Sequence, residues 1–269
     1  MSPPTRNPRE TAAAPEAPAV SHAGAWQRFR QRHLYDYNAT ATTRWLALVA
    51  AGALAAMCAL VQLVALPTSE LLRVALGVAF VAVVALFPLQ IPRTKHSICV
   101  SDVFVFALLA LHGAPAAALA AGAEGLVGAW RTSKRLTSRA GTLAAATATM
   151  LLCGMLYEGL HVGLEVAGLS AATATLVALC LVSLPYFAGT TLPLLAVVAA
   201  KNGHRVSIVD WAQNYSWFAA VYLLSAAVAG TLAMNARQFG AAVIVVAAAV
   251  ASAVLALIHY SLRRHEADH

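Results

Sequence analysis

Of the 269 residues, 60% are hydrophobic and 11% charged, with a mean hydropathy of +0.71. Soluble domains carry about 25% charged residues, so this composition excludes an ordinary water-soluble protein and predicts an all-α, polytopic membrane helical bundle. The net charge of +7 would point to nucleic acid in a soluble chain. Here the basic residues stand at the ends of apolar runs, with no stripe of interleaved aromatics, so nucleic acid is not an expected partner and the lipid bilayer is.

Residues 1–44 hold Pro, Ala and charge but no apolar core of a secretory signal, so they are expected to form a cytoplasmic tail ahead of an uncleaved first anchor. Residues 1–22 lack the bulky apolar side chains that would offset the entropy of ordering them, and are expected to be disordered. From Trp26 the pattern changes. Trp26, Phe29, His33, Leu34 and Tyr37 recur near helical spacing with Arg28, Arg30 and Arg32 between them, which fits a short basic helix on the membrane surface or, equally, a partly ordered tail.

The apolar runs are Trp45–Leu66, Leu71–Leu89, Val103–Leu111, Pro115–Trp130, Thr142–Leu160, Ala171–Ala200, Trp211–Met234 and Phe239–Leu262. A spanning helix needs about 20 apolar residues, which most of these supply and the third and fourth do not. If those two were one rod, Arg131, Lys134, Arg135 and Arg139 would lie outside the cell. A turn at Gly113–Pro115 between two short helices instead places Arg6 to Arg44, Arg93 with Lys95, Arg131 to Arg139, Lys201 with Arg205, and Arg263 with Arg264 on the cytoplasmic side. The charges therefore predict about eight membrane segments in the inner membrane, N-terminus and C-terminus both inside. The transmembrane bundle is expected to cover residues 45–262 and a cytoplasmic tail residues 263–269.

The turn frees backbone groups that lipid cannot satisfy, so it must be buried in protein or face a wet cavity. Asp102 and Glu124 lie at matching distances before and after it, about 15 Å at 1.5 Å per residue, and two antiparallel arms would bring them to one depth. Ionisable groups cost a few kcal/mol or more within a membrane and usually face a partner or cavity. Arg93, Lys95, His96 and Arg131 are the candidate counter-charges. Ser101 or Asp102 also fits a plain helix cap. Gly122, Gly125 and Gly128 recur around Glu124, where small residues allow a neighbouring backbone to approach.

Other features are weaker. Glu158 and His161 share a helix face, but an interfacial helix end explains them better than a metal site, which needs three or four ligands. Pro185, Gly189 and Pro193 interrupt the sixth run, and a kink would open the backbone around Tyr186, Thr190 and Thr191, or do nothing. Asp210, Trp211, Tyr215 and Trp217 fit interfacial anchoring, while Gln213 and Asn214 lie deeper and have hydrogen-bonding capacity for a neighbouring helix or a ligand. Cys58, Cys99, Cys153 and Cys180 form no CxxC pair and read as small core residues. No catalytic triad, phosphate-binding loop or metalloprotease motif occurs, so neither an enzyme nor a cofactor is expected.

The stretch SICVSDVFVFALLALHGAPAAALAAGAEGLVGAWRTSKRLTSR, Ser97 to Arg139, has a Ser-Asp entry, a Gly–Pro break and a Trp-Arg-x-x-Lys-Arg exit. It resembles the amino-terminal multi-span sensor module ahead of some bacterial HD-domain phosphohydrolases and GGDEF diguanylate cyclases. The hairpin is also similar to the paired short helices of energy-coupling-factor transporter substrate-binding subunits and of the related rod-shape membrane protein fold. Two departures stand out: Ala114 separates Gly113 from Pro115, and RRHEADH follows Leu262 with no HD or GGDEF domain, so output is expected to pass through a partner or through a domain outside this sequence. The resemblance implies a non-enzymatic membrane module that binds a small or lipid-like ligand and signals to a cytoplasmic partner. A solute transporter or its substrate-binding subunit, and a structural subunit of a membrane complex, are the alternatives. The residues expected to hold the ligand are Asp102, Glu124, Lys95, Arg131, Tyr186, Thr190, Gln213 and Asn214.

Overall fold

A computed structural model describes residues 24–87, 89–90, 97–98, 100–204 and 206–239. The chain divides into a short unit, Met1–Tyr35, and a large one, Asp36–His269. In the short unit, α1 (Ala25–His33) forms over Trp26, Phe29 and His33 and ends before Leu34 and Tyr37, which the spacing includes. Trp26 stacks on Phe29 at 5.9 Å and Phe29 meets the His33 ring at 5.0 Å, so the rings form one stripe along the helix.

The large unit contains α2 (Ala39–Val64), α3 (Thr68–Val84), a two-residue antiparallel ladder of β1 (Leu89–Gln90) with β2 (Ser97–Ile98), α4 (Ser101–Thr132), α5 (Leu136–Val166), α6 (Ala171–Lys201) and α7 (Ile208–Phe239). By length and composition five of these helices can cross a membrane: α2, α4, α5, α6, and α7 as far as Ala236. The chain is thus a helical bundle of multi-pass membrane character. α3, with 17 residues, rises about 25 Å. The expected eighth run, Phe239–Leu262, and Lys95 lie outside the described residues, apart from Phe239 at the end of α7.

Helix ends do not follow the apolar runs. α2 begins at Ala39, ahead of Trp45, because Asn38 caps it: its side-chain oxygen accepts from Ala41 N at 2.8 Å. The backbone ladder continues into the polar flank, where water or capping groups satisfy its free ends. The Trp45 indole, buried, donates to Thr137 O at 2.9 Å and ties α2 to the start of α5.

α4 is two helices. Gly113 leaves helical geometry with φ 80° and ψ −177°, a left-handed φ that glycine adopts without a Cβ clash. Pro115, just beyond, has no N–H to return to the preceding turn. The Ser101 hydroxyl donates to the Glu124 carboxylate, although the two residues are 23 apart. One continuous helix would hold them about 35 Å apart. The segment therefore doubles back, and its arms, 101–112 and 114–132, rise about 18 and about 28 Å. Hydropathy and length alone cannot separate such a pair from a single span.

This hairpin is the centre of the bundle. Phe106, Leu109 and Val105 on the first arm, and Ala117, Ala118, Ala120 and Ala121 on the second, are almost fully buried in one cluster with Val81, Met150, Leu179 and Val182, while Ala116 packs with Leu63 and Val74. Small residues set the spacing. A Cβ on Gly52 of α2 would overlap Ala144 of α5, and one on Gly154 of α5 would stand 2.8 Å from the Ala114 Cα beside the turn. Gly122 lies against Thr147, and Gly125 lies 3.1 Å from the Thr142 carbonyl by the same measure. Gly128 has nothing within 4 Å, so the expected close approach involves only the first two of the three glycines.

Charge separates between the two ends of the large unit. At one end lie the start of α2, the end of α4, the start of α5 and the end of α6, with Arg44, Arg131, Lys134, Arg135, Arg139 and Lys201. At the other, Glu70 reaches His112 at 3.9 Å and Arg73 at 2.7 Å, Glu158 meets the hairpin turn, and His161 binds Thr175 at 3.1 Å.

Asp36 clamps the basic end. One carboxylate oxygen takes Arg135 Nη1 at 2.5 Å and Lys201 Nζ at 2.6 Å, joining the starts of α2 and α5 to the end of α6. Burial raises the Asp36 pKa, but the hydrogen bonds and charges of Lys201 and Arg135 outweigh it and hold the group below its ordinary 3.8. A depressed folded-state pKa stabilises above the unfolded value and ceases to as pH falls through the folded one. Asp36→Asn is therefore expected to lower the detergent-unfolding midpoint at pH 6, and the gap to the wild type should close as the pH is taken below about 3.8. A gap that stays constant to pH 3 would assign the loss to packing alone.

Candidate functional site

The hairpin's fold-back positions the site. Ser101 and Asp102 open the first arm, and Glu124 lies on the second at the same level. All three are buried, Asp102 at 7% and Glu124 at 8% exposure. The Ser101 hydroxyl is spent on Glu124, and no side chain caps the first arm, so the capping role open to Ser101 and Asp102 is not the one they play. The cross-hairpin bond satisfies a carboxylate that would otherwise stand without a donor in an apolar interior, where an unmade hydrogen bond costs most.

α6 supplies the third wall. Tyr186, 2% exposed, lies within electrostatic range of both Asp102 and Glu124 and meets Phe106 edge-on at 5.6 Å. Phe106 is one helical turn beyond Asp102 on the same face of the first arm. Tyr222 of α7 closes on Tyr186 at 5.7 Å and on Phe187 at 5.5 Å. Among the described residues no cation pairs with either carboxylate.

The remaining expected ligand residues fall elsewhere. Thr190 is half-buried one turn from Tyr186, and its hydroxyl bonds back to the Tyr186 and Phe187 carbonyls at 3.0 and 3.1 Å. Arg131 is exposed, about 10 Å farther along the second arm than Glu124. It sits too near the basic end to neutralise the acids. Gln213 and Asn214 are exposed on α7, and the Asn214 amide donates to Asp210 O in its own helix at 2.7 Å. Their depth was readable from the run, whereas the rotation of α7 that turns them away from the centre was not.

Pro185 and Pro193 sit inside an α6 that runs unbroken from Ala171 to Lys201. Thr190 and Thr191 return their hydroxyls to carbonyls of the preceding turn, and the Thr191 oxygen also receives the Trp211 indole at 3.2 Å. Glu158 is not paired with His161 as a ligand set. Its Oε1 accepts the Ala114 N–H, which the break at Gly113 leaves without a helical partner, at 3.4 Å. Among the described residues no group of three His, Cys, Asp or Glu side chains is placed to hold a metal ion.

No protein-family model, curated protein or solved structure matches the chain.

Proposed function

We propose that the chain is a multi-pass inner-membrane protein with eight membrane segments and both termini cytoplasmic. In this reading it binds a small or lipid-like ligand among its helices, catalyses no reaction, and passes the binding state to a cytoplasmic protein partner. The topology rests on the collection of Arg and Lys at one end of the bundle, which becomes the cytoplasmic end, with the run Phe239–Leu262 as the eighth segment. The observation that carries ligand binding is the centre itself. Asp102 and Glu124 are buried side by side beside Tyr186, with no counter-charge among the described residues. Membrane-buried acids are costly and seldom idle.

Transport is the second reading, because the broken α4 packs against α6 at this same centre, as a discontinuous helix does around transported substrates. Native mass spectrometry of the purified protein separates the readings. A sensor should retain a small molecule that is lost in Glu124→Gln, and that molecule should bind in proteoliposomes without net flux. Uptake abolished by Glu124→Gln would establish a transporter instead. Stoichiometric co-purification with a membrane complex, unchanged by Glu124→Gln and with no retained molecule, would make the chain a structural subunit.

A further inference from the structure

We infer that the corner between α4 and α5 binds the headgroup of an anionic phospholipid, through Trp130, Arg131 and Lys134. This site is separate from the buried acids and does not rest on the ligand-binding reading above. Trp130 and Leu136 are 60% and 51% exposed, and Arg131 and Lys134, between them in sequence, are exposed as well. An indole and two cations thus stand on the outside of the bundle where two membrane-capable helices meet end to end.

The cations of this corner divide into two kinds. Arg139 turns back on it, donating from Nε to Ser133 O at 2.9 Å and from Nη2 to Trp130 O at 3.5 Å, as basic side chains do at helix C-termini. Arg135 gives its backbone N–H to the Ser133 hydroxyl at 3.1 Å, and its guanidinium is held by Asp36 at 2.5 Å. These two brace the backbone on which Arg131 and Lys134 are presented. Orienting a chain in a membrane needs only positive charge beside a span. It calls for neither a braced corner nor an exposed indole next to the charge.

The depth of the corner favours lipid over an acidic soluble protein. Only Ser133, Lys134 and Arg135 separate the two helices. Such a connection rises no more than about 5 Å before it must return, which keeps it within a headgroup layer of about 5–8 Å on each side of the hydrocarbon. Arg and Lys suit a phosphate diester, and an indole settles at the same level because it is apolar with one N–H donor. A zwitterionic headgroup brings its own cation, which two basic side chains repel, so the pair selects a lipid with net negative charge.

Full-length protein in dodecyl maltoside is titrated with dioleoylphosphatidylglycerol and, in parallel, with dioleoylphosphatidylcholine, and its thermal unfolding is followed. A saturable rise in Tm is expected with phosphatidylglycerol alone. The double variant Arg131→Gln/Lys134→Gln should unfold at the wild-type temperature without added lipid and bind phosphatidylglycerol at least about tenfold more weakly. Exchanging the two cations, Arg131→Lys with Lys134→Arg, keeps both charges and should stay within about threefold of the wild type. Arg73→Gln, at the opposite end of the bundle, should change nothing. An equal rise with both lipids, or a phosphatidylglycerol response unchanged in the double Gln variant, overturns the inference. A response lost instead in Arg28→Gln/Arg30→Gln/Arg32→Gln would assign the lipid to α1 and overturn it too. So would a double Gln variant that keeps its lipid response but loses a co-purifying acidic protein, which would make the corner a protein dock.

Discussion

A chain carrying Ser101→Cys and Glu124→Cys, with Cys58, Cys99, Cys153 and Cys180 replaced, is expected to cross-link within itself almost completely when treated with a short bis-methanethiosulfonate reagent, each cysteine displacing methanesulfinate. Intact mass measures the yield. The wild-type side chains touch, whereas an unbroken helix would hold these positions about 35 Å apart, beyond any short linker. A second pair, Ser101→Cys with Arg131→Cys, sharpens the result. Arg131 lies about 10 Å farther along the second arm, so its yield should fall by about an order of magnitude from loss of proximity. A rod gives nothing for either pair, and a loosely hinged segment gives similar yields for both. Only a tight antiparallel hairpin separates them.

The second large effect is expected where helices touch through backbone. Gly154→Ala would press a methyl onto the Cα of Ala114, and Gly52→Ala would overlap Ala144. Neither obstacle is the end of a flexible side chain, so relief requires a helix to move. Overpacking of this kind costs about 1–3 kcal/mol, a roughly 5- to 150-fold loss in the folding equilibrium. At Gly154 the cost should also reach the site, because the neighbouring Ala114 N–H is held by Glu158 and displacing the turn shifts both arms. Gly128→Ala and Gly159→Ala are the controls. Nothing lies within 4 Å of either, and exchanging a helical glycine for alanine gains up to about 1 kcal/mol. Detergent-denaturation curves followed by helicity should place the four variants in two groups on opposite sides of the wild type. Overlapping groups would mean that the helices do not approach at Gly52 and Gly154.

Several features of the site are legible in the amino-acid sequence. Hydropathy located the segments, since burial in lipid acts on every residue of a run. The Gly113–Pro115 break was visible because those two residues alter the local backbone directly, and counting outward from it brought Asp102 and Glu124 to one depth. Tyr186 was marked by its place beside Pro185. The partner of Ser101 was not legible. A serine at a helix start has a local use as a cap, and nothing in the chain shows that a carboxylate 23 residues away competes for it. The partner of Glu158, read only as an interfacial helix end, was not legible for the same reason. That partner, a backbone N–H freed by a distant turn, leaves no mark near residue 158.

Periodicity also failed where the helices carry apolar residues on every side. On α7 it could not show that Gln213 and Asn214 turn outward, nor among Gly122, Gly125 and Gly128 which two meet α5. Position along the membrane normal is written in the chain, because it follows from counting residues at a constant rise and from which side chains lipid rejects. Rotation about each helix axis, and hence which polar groups converge, is decided by packing between segments distant in sequence. Lipid and protein interior are alike apolar, so the solvent imposes no pattern that would reveal it.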